Sequence, residues 1–243
     1  MDNSKVWLIT GASRGIGLAI AKRVIAAGDR AAILARGDAV HQIASDLGEQ
    51  CLGCQADVSD PQQVQSAIDT LIAHWGNLDV VVNNAGMHRG GKLGRLVLED
   101  WQQVMDTNLT GTLNVCSAAG QHLGSGAAIV NIGAVVGFRG FPGDAAYAAS
   151  KAGVAGLTRA LAIELAARQI CVNLVIPGLV LTEMTGELSE KALESMRKTI
   201  PLGRYGQPDE IAEVVEWVAR SRYMTGAFVP VDGGLMSSFG IAG

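Results

Sequence analysis

The sequence predicts an α/β fold: a single doubly wound sheet of seven mostly parallel strands with helices on both faces. Three observations predict it. Hydrophobic residues make up 49% of the 243 and charged residues 17%, with 31 glycines, a balance that suits a sheet buried on both sides, tight turns and alanine-rich helices. Apolar runs near 5–10, 30–35, 50–56, 78–83, 127–133, 169–175 and 226–231 alternate with stretches of helical periodicity. The connections are short, and parallel strands joined in this way need right-handed crossovers that lay helices on both faces. No linker, repeat or low-complexity tract interrupts the chain, so residues 1–243 are expected to form one domain.

Taken in order, strand one ends in Thr10-Gly11-Ala12-Ser13-Arg14-Gly15-Ile16-Gly17, and Ile16 and Leu18 open a helix. A glycine turn at that junction suits phosphate: Gly11 allows the bend, Gly15 lets backbone approach a pyrophosphate, Gly17 lets the helix pack closely, and free amides face the ligand. A plain tight turn shares the pattern when it stands alone. Strand two ends at Ala35-Arg36 and strand three at Asp57-Val58. Asp60-Pro61 then caps a helix that Gly76 closes. Strand four runs into Asn83-Asn84-Ala85-Gly86, followed by an irregular loop at 87–98. Strand five leads to a helix over 147–167 carrying Tyr147 and Lys151, four apart and so on one face. After strand six, 179–206 breaks the alternation and reads as a mobile substrate lid at about 183–206. Pro208, Asp209 and Glu210 open the last helix with acids near its positive end.

Composition also excludes functions. A net charge of -4 with no long Lys/Arg cluster gives no footprint for nucleic acid. The most apolar long stretch carries Lys151, Arg159 and Glu164, so no membrane span is expected. The N-terminus lacks a secretory pattern, which points to the cytoplasm. Cys51 and Cys54 form a CxxC within a strand, where positions three apart face opposite ways, so neither a disulfide nor a metal site is expected.

A tyrosine is a poor acid–base group at its ordinary pKa near 10, but a neighbouring ammonium favours phenolate. Lys151 would thus tune Tyr147, although an exposed Tyr/Lys pair on a helix is common in itself. With Gly-x-x-x-Gly-x-Gly at 11–17, Asn83-Asn84-Ala85-Gly86 and Tyr147-Ala148-Ala149-Ser150-Lys151, the chain resembles the short-chain dehydrogenase/reductase family, whose fold is of the Rossmann type. Its nearest likeness within the family is to 3-oxoacyl-(acyl-carrier-protein) reductases.

The resemblance spans the whole chain, ending in a last strand and turn at 224–234. It implies cofactor contacts at Gly11, Ser13, Arg14, Gly15, Ile16 and Gly17. It adds Asp57 and Val58 for the adenine, Asn84, Ala85 and Gly86 along the cleft, and Pro177, Gly178 and Thr182 at the nicotinamide, where a bland strand-end turn is the alternative. Lys151 would also hold the ribose hydroxyls beside Tyr147. Asn108 would anchor a proton relay, or else bond to a local kink. One position departs: the family's serine, thirteen residues before the tyrosine, is Ala134, and no Ser or Thr between Ser125 and Tyr147 replaces it. Activity is therefore expected to be impaired. A serine-to-alanine substitution, which the intact remainder of the site favours, and a natural chain that manages without the hydroxyl both stay open.

Where an acidic residue would select NAD, strand two ends in Ala35-Arg36, and Arg14 adds a second cation. Guanidinium groups without an opposing carboxylate favour NADP(H), although solvated arginines are also ordinary. The expected reaction is reduction of a ketone or 3-oxoacyl thioester to the secondary alcohol. A catalytically silent NADP(H)-binding sensor or assembly protein and an NAD(P)-dependent secondary alcohol dehydrogenase are the alternatives. Substrate choice should lie in 87–98, 135–144 and 182–204, with Phe138, Phe141 and Met184 as apolar lining. Arg139, Arg168, Arg197, Lys198 and Arg204 are candidates for meeting an acidic carrier, or are simply solvated. The Ala-rich helix at 147–167 predicts a homotetramer, with a dimer as the alternative.

Overall fold

The computed structural model describes residues 4–181 and 190–238. Its strands are β1 (Val6–Thr10), β2 (Arg30–Ala35), β3 (Cys51–Gln55), β4 (Leu78–Asn83), β5 (Leu123–Ile132), β6 (Cys171–Pro177) and β7 (Phe228–Val231). They lie in the order β3-β2-β1-β4-β5-β6-β7, and every pairing is parallel. The helices are α1 (Gly15–Ala26), α2 (Ala39–Leu47), α3 (Pro61–Trp75), α4 (Leu98–Met105), α5 (Gly111–Gly120), α6 (Val136–Arg139), α7 (Ala145–Ala166), α8 (Glu190–Arg197) and α9 (Pro208–Arg220). The sheet is the one expected, with all of its strands parallel.

Alternation along β1 shows how one sheet serves two cores. Trp7 and Ile9 pack with Ile20 and Val24 of α1 and with Ile211, Val215 and Val218 of α9. Val6 and Leu8 pack on the other face with Ile68 and Leu71 of α3 and Val115 of α5. Burial of such side chains on both faces, at about 2 kcal/mol each, is the main favourable term in the fold. The two cysteines of the CxxC part in the same way: Cys51 packs against the first core and Cys54 lies in the second. Both are free thiols, and burial pushes each up to about 11.

Asp60 accepts from the amides of Gln62 and Gln63, and Gly76 ends α3 in the left-handed region at φ 83. Ahead of α9, the Glu210 carboxylate accepts from the Gln207 amide at 2.9 Å. The start of β5 differs from expectation. The strand begins at Leu123, and its register against β4 shifts between Leu78 and Val80. Gly124-Ser125-Gly126, with Gly126 at φ 82, forms an irregularity within the strand ahead of the apolar run at 127–133.

Strand order reverses between β1 and β4, which opens a crevice at the carboxyl ends of the strands. Thr10 locks this junction: its Oγ1 accepts from the amides of Asn84 and Ala85 at 3.1 and 3.0 Å. The segment 179–206 is pinned at its base by a parallel bridge between Val180 and Gly206, and the Tyr205 hydroxyl donates to the Leu193 carbonyl at 2.6 Å. Thr182 and Met184, with the first part of the expected lid, lie outside the described residues.

Candidate active site

The phosphate turn is shaped by backbone. Gly11 and Gly15 take φ values of 64 and 55. A Cβ at Gly11 would lie 2.7 Å from Ala85 Cα, and one at Gly17 would lie 2.5 Å from the Gly11 carbonyl oxygen. Arg14 stands at the N-cap of α1 without a capping side-chain bond, and the first turn carries no acid. Ser13 is half-buried in the turn and Ile16 packs on the core behind it. A backbone cradle that any Cβ would fill, at a helix start with no side-chain cap, fits a dinucleotide pyrophosphate.

The segment after β3 is held by α5. The Val58 carbonyl accepts from Asn114 Nδ2 at 3.0 Å, and Asp57 Oδ1 accepts from the Ser59 amide and hydroxyl at 2.9 and 2.7 Å. One premise about the cofactor is corrected here. Arg36 does face a carboxylate, because Asp57 Oδ2 stands 3.9 Å from it, both groups being partly solvated. An ion pair of this length and exposure is worth less than about 1 kcal/mol, so a phosphate can displace it.

Lys151 is buried at 4% exposure and donates from Nζ to the Ile132 carbonyl at 2.9 Å, with the same Nζ 5.7 Å from the Tyr147 ring centroid. Asn108 sits in a π-helical turn, Asp106–Thr110, between α4 and α5. Its side chain is committed as a clamp. Oδ1 accepts from the Met87 amide at 2.8 Å, and Nδ2 donates to the Met87 carbonyl and to Ser150 Oγ, each at 3.0 Å. Ser150 Oγ donates in turn to the Tyr147 carbonyl at 2.8 Å. The loop after β4 and the start of α7 are thereby tied through one asparagine. Gly86 completes the junction: a Cβ there would lie 3.4 Å from Asn108 Oδ1 and 3.6 Å from Lys151 Nζ.

The protonation balance of the cofactor-free chain runs opposite to the expected tuning. Burial, with the Asp144 charge adding to it, pushes the Tyr147 phenol up to about 12, and burial lowers the Lys151 ammonium to about 8. Favouring phenolate therefore requires positive charge beyond Lys151, which an oxidised nicotinamide would bring.

Ala134, two residues beyond the end of β5, presents a methyl group where the resemblance implies a hydroxyl, and its carbonyl accepts from the Gly137 amide at 3.1 Å. Beside it, the Val135 amide donates to the Pro177 carbonyl, and the Gly178 amide donates to the Val231 carbonyl at 3.0 Å. A Cβ at Gly178 would lie 2.6 Å from Asp232 Cα.

Two residues that sequence reasoning missed stand next to Tyr147. The His88 ring meets the tyrosine ring edge to face at 5.3 Å, and His88 Nε2 lies 2.9 Å from Asp144 Oδ1. His88 belongs to the loop named for substrate choice, but loop spacing does not say which helix a side chain faces. Phe141 and Phe138 are both exposed, and Phe138 also meets Phe228 edge-on at 5.6 Å. The basic residues considered for a carrier are engaged elsewhere. Arg197 and Lys198 meet Glu194, Arg204 meets Glu210, Arg139 bonds Leu235 and Ser238, and Arg168 caps carbonyls at Gly120 and Leu123, at the far end of β5.

Comparisons with known proteins follow this geometry. A family model described as Enoyl-(Acyl carrier protein) reductase matches residues 11–236. The chain is 45% identical over 235 residues to carbonyl reductase family member 4 of Danio rerio, covering 96% of this chain and 98% of that protein. It is 42% identical over 234 residues to the 3-oxoacyl-(acyl-carrier-protein) reductase of Homo sapiens, covering 95% and 98%. Among solved structures, a blue fluorescent protein from a metagenomic library, in complex with NADPH, superposes with a TM-score of 0.90 at 36% identity, covering 97% of this chain and 99% of that one. A short-chain dehydrogenase/reductase mutant of Serratia marcescens gives a TM-score of 0.91 at 35% identity, covering 97% and 100%.

Proposed function

The chain belongs to the short-chain dehydrogenase/reductase family of oxidoreductases, and from that premise we propose that it reduces a ketone or 3-oxoacyl thioester to the secondary alcohol with NADPH. The observation that carries the reading is the meeting of Tyr147, Lys151 and Asn108 beside a glycine cradle shaped for pyrophosphate. Bound NADPH supplies the hydride. Gly11, Ser13, Gly15, Ile16 and Gly17 seat the pyrophosphate. Arg14 and Arg36 take the 2′-phosphate, Asp57 and Val58 the adenine, and Asn84, Ala85 and Gly86 the cleft. Pro177, Gly178 and Thr182 meet the nicotinamide end.

Tyr147 gives its proton to the carbonyl oxygen as charge develops there, Lys151 holds positive charge behind it, and Asn108 keeps the loop after β4 against α7. Ala134 withholds a second donor, so turnover is impaired. Restoring it by Ala134→Ser raises kcat by about 10²–10³. The test follows NADPH absorbance with an acetoacetyl thioester and a ketone panel in both proteins.

The Ala134 methyl also favours a second reading, a silent NADP(H)-binding sensor or assembly protein, which stands if both proteins bind NADPH and neither turns over any substrate. The site serves either direction, and oxidation of a secondary alcohol with NADP⁺ is the reverse assay. Domain, setting and assembly complete the proposal: one domain over 1–243, a cytoplasmic setting and a homotetramer. No helix among the described residues is long and apolar enough to cross a membrane. On the outer face of α7, Ile163 is 80% exposed, in keeping with a subunit contact. Light scattering on the eluted protein distinguishes tetramer from dimer.

A further inference from the structure

The loop after β4 carries one titratable ring that the proposed reaction does not use. His88 Nε2 lies 2.9 Å from Asp144 Oδ1, and the His88 ring meets the Tyr147 ring at 5.3 Å with the planes 81° apart. Asp144 is the N-cap residue of α7, three residues before Tyr147. The loop is fastened there as well, since the Gly91 amide donates to the Gly143 carbonyl at 2.8 Å.

We propose that Asp144 and His88 form a positioning pair for Tyr147: His88 holds the phenol ring edge-on, and its charge sets how much of the Asp144 carboxylate the phenol feels. Protonated, His88 neutralises the carboxylate. Neutral, it leaves the Asp144 charge uncompensated three residues from the phenol, which opposes phenolate and keeps the proton available for donation. The other charges around the pair are Lys151 of α7, across the phenol at 5.7 Å, and Arg89 on the same loop, held by Asp100 of α4 at 3.2 Å. In keeping with the geometry, the Asp144 bond raises the His88 titration, and the Asp144 charge adds to burial in raising that of Tyr147.

The inference rests on Tyr147 being the proton donor, but its test needs no turnover. The sequence has 3 tyrosines and 4 histidines, so the Tyr147 phenolate is read by ultraviolet absorbance against Tyr147→Phe, and the His88 ring by NMR against His88→Gln. The full chain is compared with Asp144→Asn, His88→Gln and His88→Arg. Asp144→Asn lowers both midpoints, that of Tyr147 by about 1 pH unit. His88→Arg, permanently charged and outside the helix, lowers Tyr147 likewise. His88→Gln leaves it in place, because His88 is already neutral where the phenol titrates. An unmoved Tyr147 midpoint in Asp144→Asn or in His88→Arg overturns the pair. The two ideas fail separately: absence of turnover sinks the reductase reading alone, and unmoved titrations sink the pair alone.

Discussion

At the scale of single residues, the site is decided by what is missing as much as by what is present. Gly17 is the clearest case, since a Cβ there would lie 2.5 Å from a carbonyl oxygen and 2.8 Å from Ala12 Cα, backbone atoms that cannot swing away. Gly17→Ala is expected to weaken NADPH binding at least tenfold by isothermal titration, through displacement of α1 from the turn. Lys151 makes a pH prediction. Its ammonium is lowered to about 8 in the fold, below the ordinary value near 10.5, so between these values the unfolded chain binds the extra proton and stability rises with pH. The slope is up to about 1.4 kcal/mol per pH unit. Three thiols, two buried and that of Cys51 half-buried, work the other way. Cys51 and Cys54 are raised to about 11 and Cys116 to about 12, so the unfolded chain loses those protons first and stability falls above pH 9. Urea denaturation of the parent against Lys151→Met isolates the lysine: the difference should change in the parent's favour from pH 8 to 10, and a flat difference refutes the lowered value.

At the scale of elements, a polar ladder crosses the interior. Asn83 Nδ2 donates to Asn131 Oδ1 at 2.9 Å, and Asn131 Nδ2 donates to Thr158 Oγ1 at 2.9 Å, joining β4, β5 and α7. Asn131→Ala leaves buried partners unpaired and should cost about 1–3 kcal/mol in urea denaturation. A loss under about 0.5 kcal/mol would mean the ladder contributes little. The same ladder marks a boundary of sequence reading. Strand positions and the caps at Asp60, Gly76 and Pro208 were legible because they depend on local periodicity and backbone geometry. The glycine turn, Tyr147 and Lys151 were legible because their spacing is fixed within one element. The approach of His88 to Asp144 across 56 residues was not, and nor was the pairing of Asn131 with Thr158. Arg36 was misjudged in one respect for the same reason, since its carboxylate neighbour comes from the end of another strand.

At the scale of the whole molecule, the end of the sheet remote from the site, where the strands begin, is held by a buried anion. Asp29 is 4% exposed and accepts from the Lys5 amide at 2.9 Å, from Trp7 Nε1 at 2.8 Å and from Arg220 at 2.8 Å, binding the start of β1 to the end of α9. Asp29→Ala should cost about 3 kcal/mol and lower Tm by about 6–12 °C in calorimetry. NADPH affinity should be unchanged because the crevice lies at the opposite end of the strands. The strand order has a consequence for biogenesis. Once β4 has emerged from the ribosome, β1 is flanked on both sides, and β5, β6 and β7 then each dock against the strand made just before. The growing chain advances one margin of the sheet while β3 stays at the other, and no later segment has to thread between strands already joined.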